Sequence, residues 1–144
     1  MKRILTVFII LLFASPIFAK DSGTINVVVK NIKNNQGKLR LKLIEIRDKF
    51  SKKPGQICKT MSNVIRYKQS FFSLKNIPYG WYAIYVYHDK NNNGKFDYMK
   101  LSKPQEGFGC SNNGVSDIGN PNFEIASFYL GKKKLSMVIP LNYY

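Results

Sequence analysis

The sequence predicts an all-β protein: an antiparallel β-sandwich of six to eight short strands with one long loop. Three observations carry that expectation. No apolar pattern of helical period persists anywhere downstream of the N-terminal segment. Short runs of alternating or β-branched residues recur between turns rich in Gly and Asn. One run, Trp81–His88, is apolar on both of its alternating faces, as a strand covered on two sides must be.

Taken in order, Gly23–Ile32 sets Ile25, Val27 and Val29 against Thr24, Asn26 and Lys30, the pattern of a half-buried strand. Asn34-Asn35-Gln36-Gly37 is turn chemistry. Lys38–Ile46 then places Leu39, Leu41 and Leu43 inward and Lys38, Arg40 and Lys42 outward, and Ile44 and Ile46 change the parity, which predicts a bulge. The short turn predicts that these two strands pair as a hairpin. Arg47–Lys59, polar and broken at Pro54-Gly55, reads as a connection. Met61–Lys68 is a weaker strand and Ser70–Leu74 a short one, with Phe72 and Leu74 on one face. Asn76–Gly80 turns the chain into the central strand. From Tyr98 to Phe123 periodicity is lost, and Pro104, Gly107, Gly109, Gly119 and Pro121 leave no room for a helix. A loop of that length is expected to be either disordered or functional. A second hairpin, Ile125–Leu130 and Leu135–Leu141, follows, and Pro140 suits an edge strand.

Residues 1–19 stand apart. Lys2 and Arg3 precede the apolar run Ile4–Phe13, and Pro16-Ile17-Phe18-Ala19 ends on a small residue, as a secretory leader does. The apolar run is about half the length a bilayer span requires. The expected organisation is therefore a leader over 1–19 and a single domain over 20–144, exported to the periplasm or the medium, with no transmembrane segment in the mature chain. Without Lys2 and Arg3 the chain keeps 21 basic and 8 acidic residues, a net charge of +13. Five of those acids fall between Asp89 and Glu124. No nucleic-acid motif accompanies the charge, so nucleic acid is not an expected partner. An anionic component of the cell envelope or a protein partner fits better, and the plainer alternative is a Lys- and Asn-rich background with lysines solvated on outward strand faces. Cys58 and Cys110 are the only cysteines, and an oxidising compartment predicts that they are joined. Such a bond would stabilise the fold by about 3–4 kcal/mol.

The central strand runs into the loop H-D-K-N-N-N-G-K-F-D. Asp89, Asn91, Asn93, the Lys95 carbonyl and Asp97 bring oxygens at every second residue, with Gly94 at the sixth position, the spacing of a calcium loop. Lys100 stands at the twelfth position, where such loops carry an acid, so a further ligand would come from Glu106 or Asp117. Calcium is the one cofactor expected, bound weakly at about 10⁻⁴–10⁻³ M. The same residues also fit a turn rigidified by Asx side chains bonded to their own backbone. Trp81, Tyr85 and Tyr87 share a strand face and form either core or an aromatic platform for carbohydrate. His88 has no nucleophile-elbow, Cys–His or zinc pattern beside it, and the protein reads as non-enzymatic.

Three separated motifs, N-I-P-Y-G-W-Y-A-I-Y-V-Y-H-D-K-N-N-N-G-K-F-D, then P-Q-E-G-F-G-C-S-N-N, then P-N-F-E-I-A-S-F, resemble a family of small exported bacterial proteins known as a conserved domain of unknown function. The resemblance covers essentially the whole mature chain. It implies a sandwich of the prealbumin-like or immunoglobulin-like kind and an exported location, and it carries no activity. The position of Cys110 is commonly aromatic in that family, so the resemblance does not support the disulfide.

Overall fold

The computed structural model describes residues 21–47, 55–98, 103–116 and 120–144; the segment read as a leader and Asp117 lie outside the described residues. Two sheets face each other. The first takes β1 (Ser22–Lys30), β4 (Ser70–Pro78) and β8 (Lys134–Pro140) in the order β4-β1-β8. The second takes β2 (Lys38–Glu45), β3 (Gln56–Asn63), β5 (Gly80–Asp89) and β6 (Phe108–Cys110) in the order β3-β2-β5-β6, and β7 (Phe128–Leu130) also pairs with β5. Strand pairs are antiparallel except β1 with β8, which run parallel from Thr24↔Lys134 to Lys30↔Pro140.

The alternation read from the sequence decides which side chains meet between the sheets. Ile25, Val27 and Val29 of β1, Leu39, Leu41 and Leu43 of β2, and Phe72 and Leu74 of β4 are buried together with Ile84, Val86 and Ile139. The opposite face of β5 carries a second core. Ala83, Tyr85 and Tyr87 pack with Ile44, Phe108, Cys110 and Ala126, and Phe96, Val115 and Phe123 close over them. The expected bulge is present as a register shift between Leu43 and Ile44 against β3. Pro140 lies on the edge strand β8, where its missing N–H costs no ladder bond.

Several expectations are corrected. β1 and β2 are not a hairpin: β1 pairs with β4 and β8, β2 with β3 and β5. The turn between them carries the chain from one sheet to the other. β7 and β8 likewise belong to different sheets. β3 occupies Gln56–Asn63, beginning inside the stretch read as a connection and ending at Asn63, within the strand read over Met61–Lys68, because an edge strand exposed along most of its length has no apolar alternation to mark its start. The described residues of the stretch 98–123 include β6 and a 3-10 turn at Ser111–Asn113, and one helical turn, α1 (Phe123–Ala126), follows where a strand was expected from Ile125.

The disulfide is also corrected. Cys58 on β3 and Cys110 on β6 are both free thiols. β2 and β5 lie between their strands, and three strand spacings are roughly 14 Å. A bridge tolerates Cα atoms no more than about 7 Å apart.

Candidate functional site

β5 delivers Asp89 to the end of the sandwich, and β2 delivers Arg40 beside it. Arg40 lies opposite Tyr87 and Lys38 opposite Asp89, so Arg40 and Asp89 are diagonal neighbours on one face. The Asp89 side chain is fully buried. It accepts hydrogen bonds from Arg40 Nε, from the Asn93 amide on Oδ1 at 2.9 Å and from the Gly94 amide on Oδ2 at 2.9 Å. Burial alone would raise the Asp89 carboxyl. The Arg40 bond and the two loop amides outweigh it and hold the group below its ordinary range. The backbone follows: Gly94 has φ +82° and Asn92 φ +58°, the left-handed region that Gly and Asn tolerate best.

On the outer side of the loop, Asn91, Asn93 and Asp97 meet directly. Asn91 Nδ2 donates to Asp97 Oδ2 at 2.7 Å, and Asn93 Nδ2 donates to the same oxygen at 2.9 Å. The amide oxygens are engaged as well: Asn91 Oδ1 accepts from the Asn93 amide and Asn93 Oδ1 from the Lys95 amide. Glu106 comes from the long segment and is buried. Its two oxygens accept from the backbone amides of Lys90 at 2.9 Å and Asp97 at 3.2 Å, spanning the loop from one end to the other. Burial pushes the Glu106 carboxyl up, the two amides oppose this, and the charges of Asp97 and Asp89 add to the rise. A cleft of about 310 Å³ opens here, lined by Lys90, Asn91, Asp97, Gln105 and Glu106. Among the described residues, no three His, Cys, Asp or Glu side chains form a group placed to hold a metal.

His88 is buried beside this loop with both ring nitrogens engaged. Nε2 lies 2.7 Å from the Gln36 carbonyl and Nδ1 2.9 Å from the Tyr143 hydroxyl. A carbonyl can only accept, so the proton sits on Nε2, and Nδ1 accepts from Tyr143. That hydroxyl in turn accepts from the Lys33 amide at 3.0 Å. Burial lowers the histidine's affinity for a second proton.

The three aromatics of the carbohydrate expectation separate. Tyr85 and Tyr87 are buried beneath Phe96, whose ring lies 6.0 and 5.7 Å from theirs. Trp81 alone of the three reaches the surface, against Tyr129 at 5.4 Å. The shared open platform is corrected to a core wall, because the long segment folds over that face of β5.

A family model described as an uncharacterized protein conserved in bacteria (DUF2141) matches residues 27–138. The chain belongs to this family. The match runs from within β1 into β8, so the DUF2141 region contains Arg40, the Asp89–Asp97 loop and Glu106. Comparison with curated proteins and with solved structures gave no match. In this DUF2141 chain, Arg40 is the side chain of the loop site that the sequence reading missed, taking it for one of a row of outward cations. Its only signal is an arginine between two lysines, Lys38 and Lys42, where a planar donor fork differs from a point charge.

Proposed function

We propose that the protein is a non-enzymatic, exported β-sandwich whose Asp89–Asp97 loop is an ordering element, holding the polar end of the domain rigid for contact with a partner. The observation that supports this most directly is the Asp89 carboxylate, buried and saturated by Arg40 and two loop amides. The Arg40 guanidinium meets the carboxylate that the calcium reading makes its first ligand. The engaged His88 ring and the buried Cys110 thiol, pushed up to about 12, leave neither group poised as a base or nucleophile.

The test is the asymmetry of the pair. Arg40→Ala strands a buried carboxylate and should cost about 3 kcal/mol. Asp89→Asn keeps one acceptor, sets its NH2 against a loop amide that now bonds the other oxygen, but buries no charge and leaves Arg40, which is partly exposed, free to reach water, so it should cost less. Equal and small losses, within about 0.5 kcal/mol of the parent protein, would remove the ordering role.

A second reading, weak calcium binding, has its own observation: the side-chain amides of Asn91 and Asn93 both turn onto Asp97. A half-turn of each amide would bring its oxygen beside the Asp97 carboxylate, at the cost of the bonds those oxygens accept from the Asn93 and Lys95 amides, a loss the cation would have to offset. Glu106 borders the same cleft. At 100 times Kd, calcium would stabilise the fold by about 2.7 kcal/mol. Melting is compared in roughly 10 mM calcium, 100-fold above the tightest expected Kd of about 10⁻⁴ M, and in chelator. A rise of several degrees that disappears in Asp97→Ala supports calcium. Identical curves leave the Arg40-locked turn alone.

A further inference from the structure

The long segment covers the outer face of the second sheet, whereas the outer face of β4-β1-β8 carries no such layer among the described residues. Register places Phe71, Val28 and Val138 in one row across it. Phe71 is 61% and Val138 55% exposed, an apolar stripe on an open surface. Beside it runs a neutral band, Asn26 with Ser73 and Ser136. Lysines flank both: Lys30 at one end of the sheet, Lys75 and Lys134 at the other, all three exposed. β1, β4 and β8 contain no acidic residue, and the nearest acid along the chain, Asp21, precedes β1.

We infer that this face docks on an anionic phospholipid surface, with the lysines facing the headgroups and Phe71 and Val138 entering the boundary beneath them. Charge complementarity selects the occupant. A second copy of the chain would bring its own lysines against these, and like charges oppose that pairing. An anionic polysaccharide would satisfy the lysines and leave the exposed valine and phenylalanine unused. An anionic bilayer takes both, through electrostatic attraction within a Debye length and through apolar area placed at the interface. The loop around Asp89 lies on the other sheet and has no part in this contact.

The experiment is sedimentation of the purified protein with phosphatidylcholine vesicles, with and without about one-third phosphatidylglycerol. Binding is expected only to the anionic vesicles and should be largely lost at about 0.5 M salt. Each lysine near such a surface contributes about 5-fold in partitioning. Reversing Lys30, Lys75 and Lys134 to glutamate together should therefore lower binding at least about 100-fold. Single Lys→Gln variants, each about 5-fold weaker, provide the measurement if the triple variant fails to fold. Phe71→Ser should weaken binding to anionic vesicles several-fold with its melting temperature unchanged. Four outcomes overturn the inference. They are equal binding to neutral vesicles, an equal loss when Lys90 and Lys95 on the loop are reversed instead, retention by an anionic polysaccharide with none by vesicles, and a doubled mass in solution that Phe71→Ser abolishes.

Discussion

Cys110 faces Tyr85 across the β5–β6 pair, is buried, and has its thiol pushed up to about 12 by that burial. Cys58 is exposed on β3, and its sulfhydryl points to the Leu43 carbonyl at 3.4 Å. A thiol reagent applied near pH 8 should modify Cys58 alone in the folded protein and both thiols after denaturation without reductant. No thiols in the denatured sample would restore the bond. The raised group also fixes the sign of a pH dependence. The unfolded thiol ionises near its ordinary value of 9.0 and the folded one near 12. Its contribution to stability is therefore whole below pH 9 and is lost as pH rises toward 12, and Cys110→Ala should flatten that limb. At this scale the sequence was partly legible. Asp89, Asn91, Asn93, Asp97 and Glu106 meet around one loop, as their types and spacing suggested. Arg40 was invisible because alternation tells only which way a side chain leaves its strand, not which carboxylate waits there.

Among elements, the turn between β1 and β2 tolerates little change. Gly37 has φ +68°, and a Cβ placed there would stand 2.0 Å from the Asp89 carbonyl and 2.6 Å from that of Lys90. Gly37→Ala pays both a left-handed backbone and a collision with backbone that cannot move aside, and should cost at least about 2 kcal/mol. Unchanged melting would mean that the turn relaxes freely away from β5. The same turn shows why strands were easier to read than their partners. Ile25, Val27 and Val29 mark β1 as surely as Leu39, Leu41 and Leu43 mark β2, but alternation specifies a face and not a neighbour. The first half of β3 escaped for the opposite reason: Gln56, Ile57, Cys58 and Thr60 are all exposed, so no burial pattern shaped their choice. β6 is three residues long, too short for a period to appear.

The molecule as a whole has two cores that meet at β5, which is buried on both faces, and at β2, which sends Leu39, Leu41 and Leu43 into one and Ile44 into the other. The double burial of β5 was legible from Trp81–His88; what covers the second face was not, since 98–123 has no repeat to read. Phe72 belongs to the core between the sheets and Phe108 to the other. Each, replaced by alanine, should cost about 3–5 kcal/mol. If β5 couples the two cores, near- and far-ultraviolet dichroism will report one coincident transition in both variants. A Phe108→Ala protein that loses aromatic signal well before its strands would show that the covering segment melts by itself.

The parallel pairing of β1 with β8 also sets an order in time. Thr24 finds Lys134 across a separation of 110 residues. β1 lies between β4 and β8, so its second ladder stays open until the eighth strand arrives. A nascent chain can pair β2 with β3 and β5 much earlier. Closing so distant a ladder makes the last step of assembly slow compared with the local ones. Until then β1 keeps one edge unpaired, and the first sheet is the last part of the molecule to lock.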